Sequence, residues 1–195
     1  MLDCFYAQMQ PTESDSVLDV GVTSNTRDDS NFFEKHYRHP QQVVCAGLEP
    51  AEELGDIAGG FLYVQIGPDT LPFADQSFDI GVSFAVIEHV GNRQRQHRHL
   101  SELLRVCRRV FVTTPNRWFP IEPHTMLPVV HYLPLGAWRR ALPLLGRGFY
   151  SSEEKLNPLD RKGFRSLFPD RAKVRIEGIG LVGPSTNLVA LASQS

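Results

Sequence analysis

The chain has 195 residues, of which 42% are hydrophobic and 22% charged, with a formal net charge of −2. Those proportions fit one globular domain with a real core, and the charge balance gives no electrostatic case for nucleic acid as a partner. The three cysteines, Cys4, Cys45 and Cys107, have no metal-ligand spacing and form no disulfide framework, so a reducing, cytoplasmic setting and no metal site are expected. No basic N-terminal region precedes an apolar run, and no stretch of about 18 apolar residues exists, so neither a signal peptide nor a transmembrane helix is expected.

Residues 2–10 read as a short helix with Phe5, Tyr6 and Met9 on its apolar side, ended by Pro11. Val17-Leu18-Asp19-Val20 then reads as a buried parallel strand closed by Gly21. An aspartate inside such a run needs a partner, either a ligand or backbone donors. Gly21 allows a tight turn and close approach of a ligand to the backbone. A helix is expected to start near Arg27-Asp28-Asp29-Ser30, with Phe32, Phe33 and Tyr37 as anchors. Residues 42–48 form strand two, ended by Glu49-Pro50, then a helical turn near Glu52–Leu54 and a break at Gly59-Gly60. Residues 61–66 are strand three, and residues 67–76 a loop dense in turn formers. Residues 77–84 are strand four.

Arg93–Val106 is a helix with Leu100, Leu103, Leu104 and Val106 inward and its basic residues in solvent. His97 and His99 lie two apart, on different sides, and are expected to be solvated. Val110–Thr114 is strand five, closed by Pro115. Leu159–Phe168 is a further helix. Residues 174–179 and 188–192 are two strands joined by the short turn Gly183-Pro184-Ser185, which calls for an antiparallel pair. The alternation predicts an α/β fold with a doubly wound, Rossmann-like sheet, mostly parallel and carrying an antiparallel C-terminal strand. All 195 residues form one domain, with residues 117–157 inserted after strand five.

From Val17 to Pro115, and again at the C-terminal hairpin, the chain resembles the class I S-adenosylmethionine-dependent methyltransferases, nearest their small-molecule "type 11" branch. The resemblance rests on Leu71-Pro72-Phe73-Ala74-Asp75-Gln76-Ser77-Phe78-Asp79-Ile80, on Ala85-Val86-Ile87-Glu88-His89-Val90, on Glu102 with Arg105, and on Thr113-Thr114-Pro115-Asn116-Arg117-Trp118-Phe119-Pro120. It implies S-adenosylmethionine as cofactor and a small-molecule acceptor. Asp19, Gly21 and Thr23 belong to the stretch that cradles the methionine end. Glu49 is placed to accept from both ribose hydroxyls, since an ionised carboxylate offers two acceptor oxygens. Leu71 is expected to wall the adenine, Phe84 to end strand four beneath the cofactor, and Glu88 to stand at the pocket mouth. Asp79 is expected to be structural.

Methyl transfer is an in-line displacement at a sulfonium carbon, so the protein chiefly aligns the nucleophile and excludes water. A base is needed only when the acceptor must lose a proton. His89 is the first catalytic residue expected and His124 the second, with Glu122 orienting it. Residues 126–145 are apolar but broken by prolines, and are expected to form a lid of short helices. A peripheral membrane contact through Arg139 and Arg140 is the second use open to that segment.

The chain departs from the family pattern twice. Val22 and Thr23 stand where further glycines are usual, leaving Asn25 to supply a positive-φ turn. Gly67 stands where an acid usually binds the adenine amino group, with Asp69 the nearest substitute. Two readings other than an active methyltransferase stay open. One is a methyltransferase-fold protein that binds a partner or other ligand without catalysis; the other, disfavoured by the absent Gly-x-Gly-x-x-Gly loop, is a nicotinamide-dependent oxidoreductase.

Overall fold

The computed structural model describes residues 1–24, 30–50, 52, 61–180 and 183–194. The expectations for Asn25, for a helix start at 27–29, for a turn at 53–54 and for Gly59-Gly60 lie outside those residues. The strands are β1 (Val17–Val20), β2 (Val43–Gly47), β3 (Leu62–Gln65), β4 (Phe78–Phe84), β5 (Cys107–Pro115), β6 (Ala172–Ile179) and β7 (Asn187–Gln194). They form one sheet in the order β3-β2-β1-β4-β5-β7-β6. Strands β1 to β5 pair in parallel, whereas β7 runs antiparallel to both β5 and β6. This is the expected sheet, with β7 as its antiparallel member.

Helices cover both faces. The helices α1 (Leu2–Met9) and α2 (Phe32–His36) pack Phe5, Met9 and Phe33 on one face against Val17, Ile80 and Phe111. The helices α3 (Arg93–Val106) and α5 (Arg161–Arg165) pack Leu100, Leu103 and Phe164 on the other against Leu18, Val110 and Ala190. All four residues of β1 are buried, as an apolar run in a doubly covered parallel sheet requires. That is also why Asp19 sits in a buried environment.

Local chemistry sets the element ends. Asn92 caps α3 by accepting the Arg95 N–H at 3.0 Å, and Asp160 caps α5 by accepting the Gly163 N–H at 2.6 Å. The helix α3 passes into β5 without a loop, because Cys107 is already extended. Strand five therefore begins three residues earlier than its apolar pattern suggests, through the charged Arg108 and Arg109. The helix read over Leu159–Phe168 shortens to α5.

Between β5 and α5 the chain makes 3-10 turns at Val130–Tyr132 and Gly148–Ser151 and the helix α4 (Leu135–Leu144). Pro143 sits in the last turn of α4, and Pro134 just before it, so the prolines do break the segment. Trp138, Leu142 and Leu156 form a small core of their own there. Arg139 turns inward onto Glu153 at 3.0 Å and Asn157 at 3.2 Å, which removes it from a lipid-headgroup role. No helix among the described residues is long and apolar enough to cross a membrane.

Candidate active site

The chain leaves β1 toward β2 on one side of the sheet and reaches β4 on the other, so the carboxyl ends of β1, β2 and β4 frame a crevice. Open α/β sheets bind ligands at such a switch point. Two cavities open there, of about 470 Å³ and about 380 Å³, and they share a wall made of Val20–Thr23, Val86 and His89. Volumes in that range suit small-molecule sites.

Gly21 has φ +121°, and a Cβ built on it would lie 2.2 Å from Cγ2 of Val86. Gly47 is equally constrained, since its Cβ would meet the Val22 carbonyl oxygen at 2.2 Å. These two contacts let the β1 and β2 ends close on one another. The side chain of Val22 packs into the core. The Thr23 hydroxyl donates to Glu49 at 3.0 Å, and the Ser24 N–H donates to the same carboxylate. Burial alone would raise the Glu49 carboxyl, but the Ser24 and Thr23 bonds outweigh it and hold the carboxyl below its ordinary range.

Asp19 faces Glu34 of α2, and both line the larger cavity. Desolvation, with the second carboxyl alongside, pushes Asp19 well above the carboxylate range, and burial raises Glu34 as well. The neighbour of Asp19 is thus another carboxyl, which favours its protonated form. Phe84 lines the same cavity and stacks on Phe33, centroids 5.4 Å apart.

Ala85, at φ +53°, turns the chain out of β4, and its N–H donates to the Thr113 backbone oxygen at 3.1 Å. The 3-10 turn Ile87–His89 follows, clamped from behind by the Asn157 N–H onto the Glu88 backbone oxygen at 2.7 Å and by the Gln96 amide onto the Ile87 oxygen at 2.9 Å. The side chain of Glu88 is 1% exposed and lines neither cavity. Its Oε2 accepts from the Thr114 hydroxyl at 3.0 Å, whereas Oε1 has no hydrogen-bond partner.

His89 and His124 meet, with their Nε2 atoms 3.0 Å apart. Nδ1 of His89 lies 2.7 Å from the Lys155 backbone oxygen, and Nδ1 of His124 lies 2.7 Å from Oε1 of Glu122. Both of those partners only accept, so both Nδ1 atoms carry a proton and the two Nε2 atoms face each other, hydrogen-bonded when one of them is protonated. Glu122 is buried, which opposes ionisation. The bonds from His124 and Thr125 prevail and hold its carboxyl down at about 2. Desolvation opposes charge on His124 too, but Glu122 and Glu88 raise it above the ordinary imidazole value.

Several residues differ from the sequence reading, Glu88 among them, since it is buried and lines neither cavity rather than standing at the pocket mouth. Leu71 is buried in the α3-side core and lines neither cavity. Its N–H donates to Glu102 at 3.0 Å, and Arg105 binds both Glu102 and the Leu71 oxygen. Gly67 faces open space, and Asp69 is ion-paired with Arg98 at 2.7 Å, so neither stands in for the missing acid; Ile66 and Pro68 line the cavity instead. His99 is not solvated. It meets the Ser83 hydroxyl at 3.3 Å, lines the cavity that holds Glu49, and is pushed down to about 4 by burial. Its spacing from Gln96 and Leu103 on the buried face of α3 was the signal for it. Asp79 is structural as expected, accepting the Ser16 N–H at 3.0 Å and hydroxyl at 2.8 Å.

The family model described as a methyltransferase domain matches residues 40–110. A structure of an S-adenosylmethionine-dependent methyltransferase from Methanosarcina mazei superposes with a TM-score of 0.59 at 16% identity, covering 96% of each chain. This is the class I methyltransferase fold. Similar methyltransferases from Mesorhizobium loti (TM-score 0.58, 12% identity, 96% of this chain and 95% of that one) and Thermotoga maritima (0.59, 16%, 100% and 88%) share it. No curated protein matches the chain. The matched residues run from just before β2 into β5, and so span the Glu49, Leu71–Asp79 and Glu88-His89 segments. Asp19, Gly21, Thr23 and His124 lie outside them.

Proposed function

We propose that the chain transfers a methyl group from S-adenosylmethionine to a small-molecule acceptor. The observation that carries this reading is the pair of cavities at the β1/β4 switch point, with a carboxylate at the end of β2, His89 in their common wall and His124 beside it in the larger one. The donor set fits the cofactor. Glu49 supplies carboxylate oxygens for a ribose diol, with lone pairs left beyond those taken by Thr23 and Ser24. Asp19 and Glu34 offer buried carboxyls to an ammonium group, and the Gly21 turn presents backbone to it. When bound, the cofactor supplies a methyl carbon on a cationic sulfur, which needs alignment and dryness more than acid catalysis. The chain's own part is to seat the acceptor at the Nε2 edges of His89 and His124, the catalytic pair, and to exclude water. The segment 117–157, which delivers His124 and the Lys155 oxygen, closes that end as a lid.

Calorimetry with S-adenosylmethionine and S-adenosylhomocysteine tests the reading. Both ligands should bind at one site, and Glu49→Ala should weaken them at least about tenfold, the size expected for lost hydrogen bonds to a charged group. A non-catalytic reading draws on the Thr23 and Ser24 bonds already made to Glu49. Absence of heat at millimolar ligand would favour it and overturn the methyltransferase reading.

A further inference from the structure

Two imidazoles and one carboxylate converge where the acceptor is proposed to sit. Nε2 of His89, Nε2 of His124 and a carboxylate oxygen of Glu88 lie within 4.8 Å of one another. Each histidine is already tied through Nδ1, one to a backbone carbonyl and one to a carboxylate. Metal-binding histidines are held in this way, because the outer bond fixes the tautomer and aims the remaining lone pair. The two Nε2 atoms, 3.0 Å apart, hold one electrophile between them, a proton or a metal ion. Oε1 of Glu88 is buried without a hydrogen-bond partner, 4.0 Å from Nε2 of His124. A buried carboxylate oxygen left in that state costs free energy unless something positive satisfies it.

We infer that Glu88, His89 and His124 bind a divalent first-row transition-metal ion, whose open positions take an oxygen of the methyl acceptor. Two imidazoles with one carboxylate favour ions such as zinc, manganese or iron over magnesium or calcium. The separation also fits, since two cis ligands each ~2.1 Å from an ion stand about 3.0 Å apart. The inference rests on the methyltransferase reading for its acceptor and names that acceptor's class, a hydroxyl compound. Coordination withdraws charge from the hydroxyl oxygen, so its proton leaves to solvent at the exposed His89 edge more readily. The remaining oxygen lone pair is the one that forms the new carbon–oxygen bond, while the methyl–sulfur electron pair stays on sulfur. The two histidines thereby act as ligands rather than as free bases. Nothing in the sequence spacing announces the site, because His124 lies 35 residues beyond His89 and the cysteines take no part.

Titration of the full chain with zinc chloride, followed by calorimetry, tests the site without turnover. One ion should bind per chain. His89→Ala, whose side chain is exposed, should lose that binding, and Glu88→Gln should lose it as well. Glu122→Gln, which frees only the outer bond of His124, should weaken it about 10–100-fold. His36→Ala, on the surface of α2, should bind as the unaltered chain does. Circular dichroism and S-adenosylmethionine binding of each variant show whether it is folded. No zinc bound by the unaltered chain, or equal binding by His89→Ala, overturns the site. Zinc loss with cofactor binding intact in His89→Ala supports it. A chain that binds zinc but no S-adenosylmethionine would keep the metal and sink the methyltransferase reading.

Discussion

Gly21 meets two demands at once. Its φ of +121° lies outside what L side chains adopt, and Val86 fills the space where a Cβ would go. Gly21→Ala should therefore cost roughly 2–4 kcal/mol, from backbone strain together with a forced shift of Val86. Urea unfolding measures the loss. Removing the obstructing methyls in the double variant with Val86→Ala should return the steric share and leave the strain. Strictly additive losses would show that the Val86 contact does not matter. A glycine after an apolar strand was legible as a turn. That its tightness serves Val86, rather than more glycines, was not. Where further glycines are usual, the Val22 side chain packs into the core and the Thr23 hydroxyl bonds Glu49.

Among the elements, α3 carries the clearest division of labour. Arg105 bonds Glu102 through Nε and Nη2 at 2.8 Å, and also reaches the Leu71 and Phe73 oxygens at 2.9 Å and Asp75 at 2.8 Å. A planar guanidinium satisfies several acceptors in fixed directions, which a point charge cannot. Arg105→Ala should destabilise by about 2–3 kcal/mol, and Arg105→Lys should recover little of it. Hydrogen exchange at the Leu71 amide should speed up in both variants, since its acceptor Glu102 loses its anchor. Unchanged exchange would mean the loop holds itself. The boundaries of α3 were readable to the residue from the Leu100, Leu103, Leu104 and Val106 pattern, because local periodicity decides them. The paired motifs 71–80 and 102–105 were readable as a resemblance. What they do to each other was not, since it depends on a tertiary contact between the loop and α3. His99 and the Glu34 partner of Asp19 escaped for the same reason: both are tertiary placements of residues whose types suit many surfaces.

At the scale of the whole molecule, two buried sites on opposite faces of the crevice give the stability opposite pH dependences. The folded state raises Asp19 and Glu34 above their ordinary values, so over that interval it holds more protons than the unfolded chain. Stability from this pair is full below the ordinary carboxylate range, near ~4, and declines as pH rises through the raised values. His99 falls from 6.5 to about 4, so across that window the unfolded chain binds the extra proton and stability rises with pH. Asp19→Asn should therefore steepen the rise in stability between about pH 4 and 6.5, and His99→Gln should flatten it. Urea midpoints collected across that range read both slopes; a profile unchanged by either substitution would remove these groups as its source. The cofactor adds a second readout. An ammonium seated beside Asp19 and Glu34 favours their ionised forms, so S-adenosylmethionine binding should release protons into the buffer. Calorimetry at one mildly acidic pH, in buffers of different ionisation enthalpy, measures that release, and Asp19→Asn should diminish it. Heat independent of the buffer would place the cofactor's charged end away from β1, leaving the carboxyl pair as a purely structural proton store.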